Sequence, residues 1–208
     1  MKVTEDQLRA ALATDLADPA WFGSAQTAIA ERPSAIGRLF PGAARHCGRG
    51  PLSNLDGWTV DEAVRVLLVT ALPLRGTSLA GTIEALYRFG DATEKRAVLR
   101  ALPLLDPDRI GAEAVPLLHD ALRTNDPRLV TAALGPYAAH LADTAWRQAV
   151  LKCVFMGVPL NAVDDLDNRA DGTLGGMLAD FADERRAAGR SLPDDVLALL
   201  DRLAKGAT

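Results

Sequence analysis

The spacing of apolar residues along the chain is the feature that most restricts its fold. In TVDEAVRVLLVTAL, residues 59–72, Val64, Leu67 and Leu68 belong to a wide apolar stripe whose members recur three or four positions apart. Most other segments show the same helical spacing, and no alternation of β-branched residues is long enough to predict a strand. The sequence therefore predicts an all-α fold of about ten helices.

Start and stop signals place several of these helices. In residues 59–72, Thr59 and Glu62 predict a capping box, and Asp61 and Arg65 are expected on one solvent-facing side of a largely buried helix. A second helix is predicted to begin at DATE, residues 91–94, where Asp91 and Glu94 also fit a capping box. Pro103 is expected to bend the end of that helix, and shorter helices are predicted near 5–17, 20–31 and 79–88.

Glycine and proline divide the chain near its first quarter. PGAARHCGRGPLSNLDG, residues 41–57, contains four Gly and two Pro and predicts a loop. With 208 residues, of which 49% are hydrophobic, the chain is long enough to bury one sizeable core. We expect a single all-helical domain with N-terminal helices and the Gly/Pro loop in 1–57, a helical array in 58–190 and a C-terminal helix in 191–208.

The middle of the chain contains a weak internal repeat. Asp106-Pro107 is followed by Pro116, and Asp126-Pro127 is followed by Pro136 at the same interval of nine residues. In each unit the Asp is expected to cap a helix and the first Pro to occupy its first position, while the second Pro kinks its interior. Two similar units favour antiparallel helices stacked as in HEAT or armadillo arrays, although an irregular bundle fits the pattern as well.

Charge and hydropathy exclude several classes of partner. The formal net charge of -4 provides no broad cationic field for nucleic acid or anionic lipid. The N-terminal residues lack the apolar run of a signal peptide, and the most apolar segment, 64–74, is far shorter than the roughly 20 residues that span a bilayer. The sequence predicts a cytoplasmic protein with no membrane span and no nucleic-acid partner.

No metal or cofactor is predicted from the cysteines or the acidic stretch. Cys47 and Cys153 lack the spacing of a zinc site or a redox motif. VDDLDNRADG, residues 163–172, fails as a calcium loop, and Asn168 stands where the aspartate-rich motif of prenyl-transferring enzymes has its third acid. A loop whose acids cap the next helix is the favoured interpretation.

The apolar run LKCVFMGVPL, residues 151–160, is predicted to be the end of a helix that begins near Asp143 or Thr144. Cys153 falls on the same stripe as a tryptophan and several aliphatic residues, so it is expected in the core. Gly157 suits the left-handed position after the helix, and Pro159 prevents its continuation. A redox or membrane-touching role is therefore not predicted for this run.

The helix that follows the acidic stretch ends in FADERRAAGR, residues 181–190. Arg185 and Arg186 complement the negative end of the helix dipole, and Gly189 is suited to close it. Glu184 and Arg185 can instead act together with Arg123 and Arg169 as a charged anchor in a groove for an anionic or polar ligand. Both interpretations, a well-terminated surface helix and a charged groove, are compatible with the sequence.

Several of these segments resemble one known family. The matching segments are ALRTNDPRLVTAAL, GPYAAHLADTAWRQAVLKCVF and PLNAVDDLDNRADGTLGGMLADFADERRAAGR, and the likeness covers roughly 58–190. In these segments the chain is similar to the EboA family, which is named for a metabolic gene cluster of bacteria and some algae. The motifs that carry the resemblance are Arg123-Thr124-Asn125, Pro136-Tyr137, Ala145-Trp146, Leu151-Lys152, Arg169-Ala170 and the ending from Glu184-Arg185 to Arg190.

Four positions depart from the family pattern. The family often has His at Asp183, Trp at Arg186, Asn at Gly135 and Gly at Asp165. No role that depends on that His or Trp is therefore predicted for this chain.

The resemblance implies an all-helical, HEAT-like cytoplasmic protein that helps to make a small metabolite or to move its precursor across the membrane. Its partners would be other proteins of the gene cluster, including a TatD-like hydrolase, a UbiA-type membrane prenyltransferase, a dehydroquinate-synthase-like enzyme and a TIM-barrel isomerase-like protein. No catalytic residue or cofactor follows from the resemblance.

Three functions remain open from the sequence. The first is a non-enzymatic scaffold, carrier or partner-binding protein of a secondary-metabolite biosynthesis and export cluster, which binds a cluster protein or a metabolite. The second is a small enzyme that uses Glu184 as acid or base and arginines for an anionic substrate. An oligomeric structural subunit is a third possibility. The candidate residues of the binding groove are Arg123, Asn125, Tyr137, Trp146, Lys152, Arg169, Glu184, Arg185 and Arg190.

Overall fold

The computed structural model describes residues 3–206 of the chain. Over these residues it contains thirteen α-helices and four short 3-10 helices, and its only β-type pairing is an isolated bridge between Pro51 and Thr59. The all-α prediction is confirmed. The contacts divide the chain into two compact units, which we call the N-terminal unit (1–119) and the C-terminal unit (120–208). The HEAT-like stacking and the single domain stay predictions.

The N-terminal unit is built around one fully enclosed helix. Every residue from Val60 to Val69 in that helix is buried, because four other helices pack against it. The predicted helices near 5–17, 20–31 and 79–88 are present within three residues of those bounds. The α-helices of this unit are α1 (Glu5–Asp15), α2 (Pro19–Glu31), α3 (Ile36–Cys47), α4 (Val60–Thr70), α5 (Gly76–Phe89), α6 (Ala92–Ala101) and α7 (Pro107–Ile110), and α8 (Val115–Arg123) runs past its end; 3-10 helices cover Pro33–Ala35 and Leu102–Leu104.

Two details predicted for α4 are wrong. Asp61 and Arg65 do not face solvent: each is only 3% exposed, because α1, α2, α3 and α6 leave α4 without a solvent side. The capping box is absent as well. The Thr59 hydroxyl donates to the Asp61 carboxylate at 2.8 Å, and Glu62 turns away to bind arginines of α6.

The predicted 41–57 loop is too long. Residues up to Cys47 continue α3, with Pro41 inside the helix, and the irregular segment begins at Gly48, whose φ is +94°. The reason is an apolar stripe at helical spacing that outweighs the glycines and the proline in this stretch. Its buried members are Ile36, Leu39, Phe40, Ala43, Ala44 and Cys47.

The Asp-Pro repeat corresponds to two helix starts. The Asp106 and Asp126 side chains each accept a backbone hydrogen bond at 2.9 Å, and the following prolines occupy the first helical position, as predicted. The second proline of each unit does not kink a helix interior. Pro116 and Pro136 each stand in the first turn of a new helical segment, where the missing N–H of proline has no intrahelical partner to lose.

The capping box at the start of α6 is confirmed. The Asp91 carboxylate accepts from the Glu94 N–H at 2.9 Å, and the Glu94 carboxylate accepts from the Asp91 N–H at 3.0 Å. Helix α6 ends at Ala101, and Pro103 lies in the 3-10 helix that follows. The expected effect of Pro103 is therefore seen as a change from α to 3-10 geometry.

The C-terminal unit packs its longer helices in sequence order. Helix α10 contacts α9 and α12, and α12 contacts α13. The helices are α9 (Pro127–Ala133), α10 (Asp143–Met156), α11 (Leu166–Arg169), α12 (Gly172–Ala187) and α13 (Asp194–Gly206), and 3-10 helices cover Pro136–His140 and Leu160–Ala162.

The predicted stripe and stop of α10 are confirmed. Trp146 and Cys153 are buried with the aliphatic residues of the stripe, and burial raises the pKa of the Cys153 thiol to about 11. Gly157 has φ +70°, and the Val158 N–H donates to the Cys153 carbonyl at 2.9 Å, which is the hydrogen bond of a Schellman motif. Neither Asp143 nor Thr144 caps the helix, which begins at Asp143 without a side-chain cap. The Asp143 carboxylate binds Arg169 instead.

The acidic stretch 163–172 caps a helix, as predicted. The Asp171 carboxylate accepts from the Leu174 N–H at 2.9 Å at the start of α12. Between residues 3 and 206, no group of three or more His, Cys, Asp or Glu side chains is placed to hold a metal ion. Over the same range, every helix is too short or too polar to cross a bilayer.

Candidate recognition surface

The turn Arg123-Thr124-Asn125 ends α8, and a lysine from α10 holds it in place. The Lys152 ammonium donates to the Leu122 carbonyl at 2.7 Å and to the Thr124 carbonyl at 2.6 Å. The last carbonyls of a helix lack intrahelical donors and carry a partial negative charge, so a cation is stabilising there. Two of the motifs that resemble the EboA family, Arg123-Thr124-Asn125 and Leu151-Lys152, are thus parts of one structure.

Further hydrogen bonds close the same turn. The Thr124 hydroxyl donates to the Ala121 carbonyl at 2.8 Å and accepts from the Asp126 N–H at 3.4 Å, just before α9 begins. On this fixed backbone the Arg123 side chain is 78% exposed, and Asn125 is exposed too. The guanidinium lies 4.0 Å from the Asp120 carboxylate, a surface ion pair of the kind that contributes about 0–1 kcal/mol.

An exposed aromatic side chain lies on the same side of α10 as Lys152. Phe155 is 76% exposed and follows the lysine by three positions, and residues three apart on a helix are neighbours. Leu151 and Met156 beside it are half-buried. We call Arg123, Asn125 and Phe155 the recognition surface. It presents a cation, an amide and an aromatic ring.

A second arginine closes the 3-10 helix Pro136–His140. Arg169 donates to the Ala138 carbonyl at 2.7 Å, to the Leu141 carbonyl at 2.9 Å and to the Asp143 carboxylate at 3.0 Å. Its guanidinium also lies over the Trp146 ring, 4.6 Å from the centroid. Arg169 therefore joins α11 to the segment before α10 and to the core tryptophan.

The two aromatic candidates are both core residues. Trp146 is 1% exposed, in agreement with the core packing favoured by its position on the stripe, and its Nε1 has no hydrogen-bond partner within residues 3–206. Tyr137 is buried, and its ring lies 4.7 Å from that of His140. Arg169 brings these residues together, because it contacts Trp146 directly and the carbonyl next to Tyr137.

The remaining candidates form a third group at the end of α12. Arg185 is half-buried, donates to the Ser191 carbonyl at 3.0 Å and lies over the Phe181 ring. Glu184 and Arg190 are exposed, and the Arg190 N–H donates to the Arg185 carbonyl at 2.9 Å in the turn at Gly189. These contacts stay within 181–191. By their direct contacts the nine candidate residues thus fall into three groups, and the groove lined by all of them stays a prediction.

Sequence reasoning did not single out Arg147 as a site residue. Its guanidinium binds the Asp171 carboxylate at 2.5 Å, and this bond holds the pKa of Asp171 below its usual range. Arg147 and Arg169 thereby fix the start of α12 and the approach to α10. The position of Arg147 beside the Ala145-Trp146 motif was the only signal in the sequence.

The structure shows the backbone or the contacts at three of the positions that are expected to depart from the family pattern. Asp165 has φ +57° and is the one non-glycine residue with positive φ in the described part of the chain, a conformation that glycine adopts at little cost. Asp183 and Arg186 form an ion pair with each other on the exposed side of α12. The charges at these two positions therefore compensate each other.

A charge cluster in the N-terminal unit was also missed. The Glu62 carboxylate, 0% exposed, lies 2.7 Å from Nη1 of Arg100 and 3.3 Å from Nε of Arg96. Burial raises the pKa of Glu62 against the opposing effect of the two arginines, and burial lowers the pKa of Arg100 to about 10. Both arginines donate to the Gly57 carbonyl, and Arg100 stacks on Trp58, so the cluster attaches the 48–59 segment to α6.

Beside α7 the surface has a shallow hollow of about 550 Å³. It is lined by Gly76 and residues 107–113, and it contains none of the nine candidate residues. The hollow therefore adds nothing to the predicted groove.

The described structure is that of an all-helical protein in which Lys152 and Arg169, two cations of the shared motifs, close helix ends. A family model described as "Metabolite traffic protein EboA" matches residues 51–201. Because the match covers most of the chain, the protein belongs to the EboA family, as its resemblance over 58–190 predicts. No curated protein and no solved structure matches the chain.

Proposed function

We propose that this protein is a non-enzymatic carrier or scaffold in metabolite traffic, and that it binds another protein of its secondary-metabolite cluster through the recognition surface. The observation that carries the proposal is the position of Lys152, whose two hydrogen bonds fix the turn that displays Arg123 and Asn125. The family description, a metabolite traffic protein, supports the association with a metabolite. The proposal takes the protein to be cytoplasmic.

A fixed turn is suited to recognition because it loses little conformational entropy on binding. Association is opposed by the ordering of loops and side chains, and a rigid display reduces that cost. Arginine and aromatic residues are enriched at protein interfaces and supply many of the residues that dominate binding energy. Arg123 and Phe155 provide both types on the surface next to Lys152.

The other cations of the shared motifs support this division of roles. Lys152, Arg169 and Arg185 donate to backbone carbonyls, and so they stabilise the helical framework. Arg123 makes only a loose contact with Asp120 and presents its guanidinium to solvent. We infer that the first three residues hold the surface in shape and that Arg123 contacts the partner.

The test is co-expression with the neighbouring genes of the cluster, followed by native mass spectrometry of the purified protein. We expect a bound cluster protein, and we expect Phe155→Ser and Arg123→Ala each to weaken the complex about tenfold, as for a residue that dominates an interface. Phe89→Ser is the matched control, because it removes an equally exposed phenylalanine from the N-terminal unit. Recovery without any partner, or equal binding by all three variants, would contradict the proposal.

The enzymatic alternative has its own test. Glu184 is exposed on α12 and has no side-chain partner among the described residues. Under the carrier proposal, Glu184→Gln leaves the output of the pathway unchanged. A loss of output with the partner complex intact would instead support the alternative in which this residue acts as acid or base.

A further inference from the structure

The outer face of α5 has the features of a self-complementary contact. Phe89 at its end is 84% exposed, the most exposed of the large apolar side chains between residues 3 and 206. Two small residues precede it at intervals of four, Gly81 and Ala85, and a Cβ added at the glycine would meet no atom within 4 Å. The face therefore carries a protruding ring at one end and two small, exposed residues one to two turns away.

The charges on this face are also complementary to each other. Glu84 and Arg88 stand four residues apart in the order that favours an ion pair within a helix, but they do not pair. Arg88 instead lies over the Phe89 ring, 6.0 Å from its centroid, and Glu84 has no side-chain partner in the described structure. One acid and one base are thus available to an external surface.

We propose that a second copy of this chain binds this face of α5, antiparallel and related by a two-fold axis. In such an interface, residue i of one copy contacts residue j of the other and the reverse contact follows by symmetry. A two-fold axis at the level of Leu86 sets Glu84 opposite Arg88. An axis at the level of Tyr87, the next residue, sets Ala85 opposite Phe89, so nearly the same axis serves both pairings. Both pairings are therefore formed twice in one arrangement, with each Phe89 ring against the small Ala85 side chain of the other copy.

The size of the face predicts a weak dimer. A helix of 14 residues is about 21 Å long, so one helix pair buries less than the standard interface of roughly 1,600 Å². We expect association with a dissociation constant on the order of 10–100 μM, reversible on dilution. The contact uses no residue of the recognition surface, which belongs to the C-terminal unit.

Sedimentation velocity of the full chain from 1 to 300 μM tests the proposal. We expect a concentration-dependent dimer that Phe89→Ser weakens at least tenfold and that Phe155→Ser, the matched control, does not affect. A wild-type chain that stays monomeric at 300 μM overturns the inference, and so does equal association of the two variants. Circular dichroism of each variant checks that the helices are retained.

Charge reversal tests the two-fold arrangement itself. Glu84→Arg and Arg88→Glu each place like charges opposite each other, so each should weaken the dimer at least tenfold. The double variant restores both pairs and should recover wild-type association within about threefold. Single reversals without effect, or a double variant that stays as weak as the single ones, would exclude this pairing. Phe155 is not part of this face. Absence of the dimer therefore leaves the proposed partner binding intact, and absence of partner binding leaves the proposed dimer intact.

Discussion

The charges around α4 in the N-terminal unit and two cations of the C-terminal unit have different kinds of partner. In the N-terminal unit, Asp61, Glu62 and Arg65 are buried, and they pair with other charged side chains between packed helices. In the C-terminal unit, Lys152 and Arg169 lie at helix ends and donate mainly to backbone carbonyls. The first arrangement fixes helices against each other inside a core. The second fixes turns at a surface and leaves the neighbouring side chains accessible.

The largest expected effect is in the buried cluster. Asp61→Ala leaves the Arg65 guanidinium buried with only the more distant Glu94 carboxylate, 3.7 Å away, as its acidic partner. Breaking a buried pair by removing one member costs about 3–5 kcal/mol, so we expect a loss of ~3 kcal/mol in the free energy of unfolding measured with urea. In the C-terminal unit, Asp183→Ala removes an exposed pair and should change stability by less than about 0.5 kcal/mol. Equal losses would remove the contrast between the units.

Removal of the Lys152 ammonium should have the next largest effect. Lys152→Met leaves two carbonyls at the end of α8 without their donor, which costs about 1–3 kcal/mol. Hydrogen exchange should quicken for the amides of 124–126. Arg123→Ala keeps those hydrogen bonds and serves as the control, with exchange as in the wild type. Unchanged exchange in Lys152→Met would show that the turn does not depend on the lysine.

The pH dependence of stability should have opposite signs for Glu62 in the N-terminal unit and Asp171 in the C-terminal unit. The folded pKa of Glu62 is raised, so its contribution to stability falls as the pH rises past about 4.5, its ordinary value. The folded pKa of Asp171 is lowered, so its contribution is present above about 3.8 and is lost as the pH falls through its folded value. Relative to Glu62→Gln, the wild type should lose stability with rising pH. Relative to Asp171→Asn, it should lose stability with falling pH, and urea unfolding between pH 3 and 7 measures both differences.

The smallest predicted effect is at the left-handed residue before α11. Asp165→Gly removes the conformational cost of φ +57° but also the hydrogen bond from Asn168, so a gain of about 0.5 kcal/mol is expected. Asp164→Gly is the control. Asp164 does not have positive φ, and glycine there should cost about 0.5–1 kcal/mol through the entropy of the unfolded chain. A loss of stability in both variants would show that the Asn168 bond outweighs the backbone cost.

Features that depend on near neighbours in the chain were predictable from sequence. The stripe and stop of α10, and the caps at Asp106, Asp126 and Asp171, follow from residues within a few positions of each other. The burial of Asp61 was not predictable, because it depends on four helices that enclose α4 from distant parts of the sequence. Polar residues at a helix start ordinarily face solvent, and here tertiary packing overrides that tendency.

The candidate site shows the same limit. The family motifs identified Lys152, Arg169 and Trp146 as notable. Helical spacing indicated correctly that the tryptophan belongs to the core. It did not reveal that the lysine binds carbonyls 28 and 30 residues away, or that the arginine binds carbonyls 28 and 31 residues away. Backbone acceptors carry no side-chain signal, so such partners become visible only when the fold is known.

The hydrogen bonds of Lys152 also make it a built-in reporter of the turn. An amine-reactive reagent needs an accessible, neutral amine. The Lys152 side chain is half-buried, and its nitrogen donates to two carbonyls. Acylation of Lys152, read as a mass shift on its peptide, should therefore remain slow while the turn is closed and accelerate whenever it opens. The chemical labelling rate of one side chain would then follow the local opening of the protein in a cell extract, without any added probe on the recognition surface.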